Sequence, residues 1–168
     1  MAWHGSAAVV RADPTVGPTQ QSTPSSSPTP TATPSPAKVD AGLSSVVVQP
    51  TGQTSYPVHL AIPVSLSGGT ADLQVTLTIV GLNKFVTTSG AGEGGWSCAA
   101  ITPMGGAGKS AVVRCTLADA SPGDPLTVGL NIGYAGSGSV EAQLAVLAPA
   151  DDSSAGDNTA SATLPPRN

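Results

Sequence analysis

Apolar and polar residues alternate in DLQVTLTIV, residues 72–80, and this period of two is the feature that most limits what the chain can fold into. Leu73, Val75, Leu77 and Ile79 share one parity, and glutamine and threonine fill the positions between them. Successive side chains of a β-strand point to opposite faces, so the pattern predicts a strand that is half buried.

The same alternation recurs in YPVHLAIPVSL, residues 56–66, and in LTVGLNIGY, residues 126–134. Weaker strand candidates are residues 44–48, 84–88, 95–99, 111–117, 140–147 and 159–164. Turn-forming residues separate these segments, and charged residues make up only 10% of the chain. We therefore predict an all-β protein, an antiparallel sandwich of immunoglobulin type. Pro57 and Pro63 would suit an edge strand, because proline cannot donate to a ladder.

The composition changes abruptly along the chain and predicts four parts. Residues 14–37 are almost wholly Pro, Ser, Thr and Gln, with too little apolar surface for a core. Such a tract stays extended and solvated, so we interpret it as a disordered stalk, with a plain flexible linker as the alternative. Residues 38–164 form the sandwich, and residues 165–168 a short tail.

Residues 1–13, MAWHGSAAVVRAD, lack the basic start of a secretory signal, and their apolar run is too short for a membrane span. Taken literally, these residues predict a cytoplasmic chain. A stalk placed directly after them favours a second interpretation, in which the true start lies upstream and a membrane helix ends near Trp3 and His4. We expect the domain to be extracellular or displayed at the cell surface, with any membrane contact made through that upstream segment.

The run ending in Gly108, Lys109 and Ser110 resembles the close of a phosphate-binding loop. That loop needs a glycine five positions before Gly108, where this chain has Pro103, and it needs a helix afterwards. AVVRCTL follows instead and is typical of a strand, so we interpret the run as a turn and expect no nucleotide. Six basic residues in a chain of net charge -4 also argue against nucleic acid.

Cys98 and Cys115 fall on the two predicted strands that flank the glycine-rich run. We predict a disulfide between them, which implies an oxidising compartment. A two-thiolate metal site or two buried free thiols are the alternatives, and neither His4 nor His59 has the spacing of a zinc finger. Trp96 shares a strand face with Cys98, which predicts packing against the disulfide, with stacking on a carbohydrate as the alternative.

Catalytic groups are few. His59 would have to serve any serine–histidine–aspartate arrangement, yet it lies opposite the apolar face of its strand. The carboxylates available for glycoside hydrolysis lie beside turns or at outward positions, namely Asp72, Glu93, Asp119, Asp124 and Glu141. DDSSAGDN, with Asp151, Asp152, Asp157 and Asn158, contains ligands that calcium prefers, but a turn between the last strands explains it more simply.

GWSC, a glycine-rich run, VVRCTLADASPGDPLTVGLNI and DNTASATL together resemble the conserved-repeat Ig-like domains of unknown function found in surface and secreted proteins of prokaryotes, especially actinobacteria. The resemblance covers roughly residues 38–164. Positions that match its pattern are Trp96, Cys98, Cys115, Thr116, Pro122, Gly123, Asn158 and Thr159. It implies an extracellular, non-enzymatic module. One copy is present rather than a tandem array, and LPPRN is not a sortase signal.

The sequence thus predicts a structural or adhesive surface module that is not an enzyme and needs no cofactor or metal. Its partner would be an unidentified protein or a cell-wall glycan. One alternative is the ectodomain of a membrane-anchored regulator, such as an anti-sigma factor or a sensor. Another is a secreted carbohydrate-binding accessory module, for which five aromatic residues offer little material.

Overall fold

A computed structural model describes residues 35–50, 58–87, 93–101 and 109–167. The predictions made for residues 1–34, which include most of the stalk, lie outside these described residues. So do those for Pro57 and for the glycine-rich run up to Gly108.

The described residues form nine β-strands and contain no α-helix. The strands are β1 (Lys38–Leu43), β2 (Val47–Pro50), β3 (Val58–Ser67), β4 (Ala71–Thr87), β5 (Ser97–Ala100), β6 (Lys109–Ala120), β7 (Thr127–Val146), β8 (Asp151–Asp152) and β9 (Thr159–Arg167). Two 3₁₀ turns of three residues each, Glu93–Gly95 and Ala155–Asp157, precede β5 and β9. The all-β prediction is confirmed.

Burial follows the predicted period of two. Along β3 every second residue from Val58 to Leu66 is buried, and the residues between them are half-buried or exposed. Leu73, Val75 and Leu77 of β4 have no exposed surface. These side chains join one continuous hydrophobic core that contains residues of every strand except β2, β5 and β8, together with Trp96 just before β5.

The strands are hydrogen-bonded in the order β5-β6-β4-β7-β3-β1-β8, with β2 beside β3 and β9 beside β7. Neighbours are antiparallel with one exception, because β1 and β8 run parallel through two residue pairs. The backbone N–H of Asp151 donates to Ala37 and that of Ser153 to Val39, which is the staggered pattern of a parallel ladder. The expected purely antiparallel arrangement is therefore wrong at β8, which reaches β1 only after the chain has crossed from β7.

Several strands are longer than the sequence predicts: β4 joins the predicted segments 72–80 and 84–88, and β6 extends beyond 111–117 at both ends. The candidate at residues 44–48 is wrong, because residues 44–46 lie between β1 and β2.

Thr127–Val146 is one strand of twenty residues, whereas the sequence predicts two segments, 126–134 and 140–147, separated by AGSGS. Its first part pairs with β3, and its second part lies between β4 and β9. β4 pairs along one side of the glycine-rich middle and β9 reaches Gly136, Gly138 and Ser139 on the other, which keeps this segment within the sheet despite its low strand propensity. The register shifts at Gly136, whose φ is +92°. β9 likewise continues to Arg167 instead of ending at residue 164.

Pro63 does not lie in an edge strand, contrary to the prediction, because β3 has partners along both sides. The N–H of Val64 donates to Leu126 on the β7 side, and the carbonyl of Pro63 accepts from Ser44 on the other side. The missing N–H of Pro63 therefore faces the junction where β2 pairing stops and β1 pairing begins. A proline costs no ladder hydrogen bond at such a gap.

Candidate functional site

Cys98 and Cys115 form a disulfide that joins β5 to β6, with the two Cα atoms 4.0 Å apart. The cysteines are directly opposite in the register. The N–H of Ile101 donates to the carbonyl of Val112, so these two residues form a hydrogen-bonded pair. Hydrogen-bonded and non-hydrogen-bonded pairs alternate along an antiparallel ladder, and the cysteine pair lies three positions away, so it is a non-hydrogen-bonded pair. Facing side chains lie closest at such positions. The bond fastens the four-residue edge strand β5 to the sheet.

Trp96 is only 1% exposed and belongs to the same core as Cys115. Its ring is therefore not available to stack on a carbohydrate, and of the two interpretations the structure favours core packing. Its Nε1 has no hydrogen-bond partner. Gly94 has a φ of +69°, and a Cβ atom added to it would lie 3.8 Å from the Trp96 ring and 2.9 Å from the carbonyl oxygen of Pro125.

Pro122 and Gly123 form the turn between β6 and β7. The N–H of Asp124 donates to the carbonyl of Ser121, and Gly123 has a φ of +91°, which a type II turn requires at its third residue. The Asp124 carboxylate accepts from the N–H of Ser121 at 3.0 Å. Asp124 thus stabilises a turn, as turn chemistry predicts.

Lys109 and Ser110 are the first residues of β6, which continues as a strand to Ala120. A phosphate-binding loop would need a helix there, with its N-terminal amides directed at the phosphates. The geometry after the glycine-rich run is therefore that of a strand and offers no such amides.

His59 lies opposite Asn131 in the β3–β7 register, and its Nδ1 is 3.0 Å from the Asn131 side-chain oxygen. A protonated Nδ1 donates in this geometry, which fixes the ring on the polar side of the sheet. This contact of His59 is thus with an amide oxygen, which holds the imidazole beside β7.

Asp72 and Asp119 line a cleft of about 290 Å³ at one end of the sheet. They meet at a β-bulge, where two residues of β6 lie opposite Asp72 alone. Asp119 has a φ of +53°, and its N–H donates to Asp72 Oδ1 at 2.9 Å. The Asp72 carboxylate thus holds a left-handed backbone residue in place, which is a structural role.

Asp152 is the centre of a hydrogen-bonded group that we call the Asp152 clasp, made of Ala41, Asp152, Ser154 and Asn158. Its Oδ1 accepts from the N–H of Ser154 at 3.1 Å and from that of Ala41 at 3.4 Å. Its Oδ2 accepts from Asn158 Nδ2 at 2.6 Å. The clasp ties β1, β8 and the start of β9 together.

Burial of Asp152 raises the pKa of its carboxyl, but the hydrogen bonds from Asn158, Ser154 and Ala41 favour the ionised form and leave the pKa below the ordinary value of 3.8. Both carboxylate oxygens are already occupied by donors. Within the described ranges no group of three or more His, Cys, Asp or Glu side chains is arranged to hold a metal ion. The hydrogen bonds of Asp152 thus organise the acidic loop as a turn. The Asp157 carboxylate occupies the space that a Cβ atom on Gly42 would need.

One broad surface remains, formed by the side chains of β5, β6, β4, β7 and β9 that point away from the core. We call it the outer face and describe it in rows across the strands. The Thr76 row contains Ala99, Arg114, Thr76, Gln143 and Thr159.

The neighbouring rows have similar chemistry. The Thr78 row contains Val112, Thr78, Glu141 and Ser161, with Ile101 hydrogen-bonded beside Val112. The Gln74 row contains Ser97, Thr116, Gln74 and Ala145. The Val80 row contains Val80, Ser139 and Thr163. Hydroxyl, amide and small apolar groups dominate all four rows.

Two connections could not be found by motif reasoning. Tyr134 is 1% exposed, and its hydroxyl donates to the carbonyl of Pro165 at 2.8 Å, which fixes the end of β9. The second is the hydrogen bond from the Asn158 side chain to Asp152. The sequence does indicate the neighbouring bond from the N–H of Ser154 to Asp152, because an aspartate commonly accepts from the residue two positions later in an Asx turn.

No protein-family model matches the chain, and a search of curated proteins finds no match either. No helix among the described residues is long and apolar enough to cross a membrane.

Proposed function

We propose that the described strands form an immunoglobulin-like sandwich that acts outside the cytoplasm as a structural or adhesive module on a Pro/Ser/Thr stalk. The observation that carries the proposal is the Cys98–Cys115 disulfide, because such bonds persist mainly in oxidising compartments.

The sandwich itself is supported by the way β7 is shared. Its first part pairs with β3, and its later part pairs with β4 and β9. Inward residues from all these strands nevertheless enter one core. Two sheets that face each other across a common core account for that arrangement.

A binding or structural role rather than catalysis is supported by how the polar groups are used. Asp72, Asp124 and Asp152 each accept hydrogen bonds from backbone N–H groups that shape a bulge or a turn. The described rows of the outer face carry few charges, and they suit contact with another surface better than chemistry on a small molecule.

Redox state and accessibility, measured together in cells that express the protein natively, test the proposal. Intact cells are treated with a membrane-impermeant maleimide, with or without a reductant, and then with external protease. Because Lys109 and Arg114 lie between the cysteines, trypsin places Cys98 and Cys115 in different peptides, and mass spectrometry detects the linked pair directly.

We expect a linked peptide pair, labelling only after reduction, and removal of the domain by the external protease. Free thiols protected from both reagents in intact cells would overturn the extracellular assignment. A cytoplasmic protein of the same cells serves as the control for cell integrity.

A further inference from the structure

The outer face carries two charged side chains among the residues described in its four rows, Arg114 and Glu141, and they are of opposite sign. Arg114 lies beside Thr76 on the β6 side of β4, and Glu141 lies beside Thr78 on the β7 side. Both are exposed. Strands about 4.8 Å apart and a two-residue rise of about 6.7 Å place their Cα atoms roughly 12 Å apart, with β4 between them.

This arrangement is self-complementary. The midpoint between Arg114 and Glu141 falls on β4, between Thr76 and Thr78. A two-fold axis in the plane of the face, passing through that midpoint at right angles to the line joining the charges, exchanges their positions. Two copies related by this axis bring each arginine onto a glutamate, and the symmetry makes both pairs at once.

The rest of the face suits such a contact. Val80 is 41% exposed and Ile101 45% exposed, which makes them two of the three exposed large hydrophobic residues described, and both lie on this face. Burying them removes apolar area from water. Their neighbours are mainly threonine, serine and alanine, which lose less rotamer entropy on burial than lysine or glutamate.

We propose that the outer face is a homodimer interface, in which a second copy of the chain lies face to face so that Arg114 of each copy meets Glu141 of the other. The proposal goes beyond the surface role and does not depend on it, since it concerns the purified, oxidised protein wherever the protein acts.

Sedimentation equilibrium of the full 168-residue chain tests the proposal over a range of protein concentrations. The wild type should show a monomer–dimer equilibrium. Arg114→Glu and Glu141→Arg each place like charges together twice in the dimer, and each should weaken it by at least about tenfold. The double variant R114E/E141R reverses both pairs and should return the dissociation constant to within about threefold of wild type.

Two substitutions on β1 serve as controls with the same changes in net charge. Lys38→Glu matches Arg114→Glu, and Asp40→Lys matches Glu141→Arg, while both control positions are exposed and lie away from the outer face. Neither should change the dimer constant. Circular dichroism and an intact disulfide establish that each variant is folded.

Three results would overturn the proposal. The wild type could remain monomeric up to its solubility limit, the single variants could dimerise as tightly as wild type, or the charge exchange could fail to restore what the folded single variants lose.

Discussion

The side-chain amide of Asn158 donates a 2.6 Å hydrogen bond to Asp152, and Asn158 is itself only 8% exposed. Its own backbone carbonyl accepts from the N–H of Leu144, so the same residue connects the acidic loop to β7. Through Asp152 and Asn158, the acidic loop, whose sequence resembles a cation site, holds β1, β8 and the start of β9 together.

Removing the acceptor should therefore destabilise the fold. We expect Asp152→Ala to lower the free energy of unfolding by about 1–3 kcal/mol, because the buried amide of Asn158 and two backbone N–H groups lose their partner. Chemical denaturation at pH 7 measures the change. Asp151→Ala is the matched control, since Asp151 is exposed, and it should stay within about 0.5 kcal/mol of wild type. Equal effects of the two would argue against the clasp.

The lowered pKa of Asp152 gives this contribution a pH dependence of defined sign. A folded-state pKa below the unfolded value of 3.8 means that the stabilisation is fully present above about pH 4 and is lost as the pH falls through the folded-state pKa. The stability difference between wild type and Asp152→Asn, which cannot ionise, should be constant near neutral pH and shrink below about pH 4. A difference that grew on acidification would contradict this assignment.

The disulfide should act mainly as a fastener of β5. We expect the double variant Cys98→Ala/Cys115→Ala to lose about 2–4 kcal/mol of stability. Relative to wild type, the double variant should show a larger increase in amide hydrogen exchange at Ser97–Ala100 than in the central strand β4. The reason is that β5 is paired only on its β6 side. A reductant should destabilise the wild type to a similar extent and leave the double variant unchanged, which serves as the control.

Three glycines should respond differently to alanine. Gly94→Ala should cost most, because a Cβ atom would lie 2.9 Å from the carbonyl oxygen of Pro125 at a φ of +69°. Gly123→Ala meets no atom within 4 Å and should show only the strain of its positive φ, about 1–2 kcal/mol. Gly156→Ala also meets nothing within 4 Å and should be neutral or slightly stabilising. Thermal unfolding ranks the three, and a different order would contradict the described backbone.

Local patterns accounted for much of the fold. The alternation in residues 72–80 identified both β4 and its buried side, because the period of two is a property of a single strand. The pairing of Cys98 with Cys115 followed in the same way, since the two cysteines flank one connection.

Propensity failed where distant segments decide the outcome. The glycine-rich middle of β7 stays in the sheet because β4 and β9 pair with it, and no local signal reports those neighbours. Pro63 was misplaced because its tolerance depends on a gap between β2 and β1, which are separated from it in sequence.

The sequence by itself determined where the strongly alternating strands lie, which sides of them are buried and which cysteines can pair, because these depend on spacing along a short stretch of chain. Only the tertiary structure decided the order of the strands, the parallel contact of β8, the Asp152 clasp and the rows of the outer face. Each of these depends on the register between segments far apart in sequence, and register is set by the packing of the whole core rather than by any one strand.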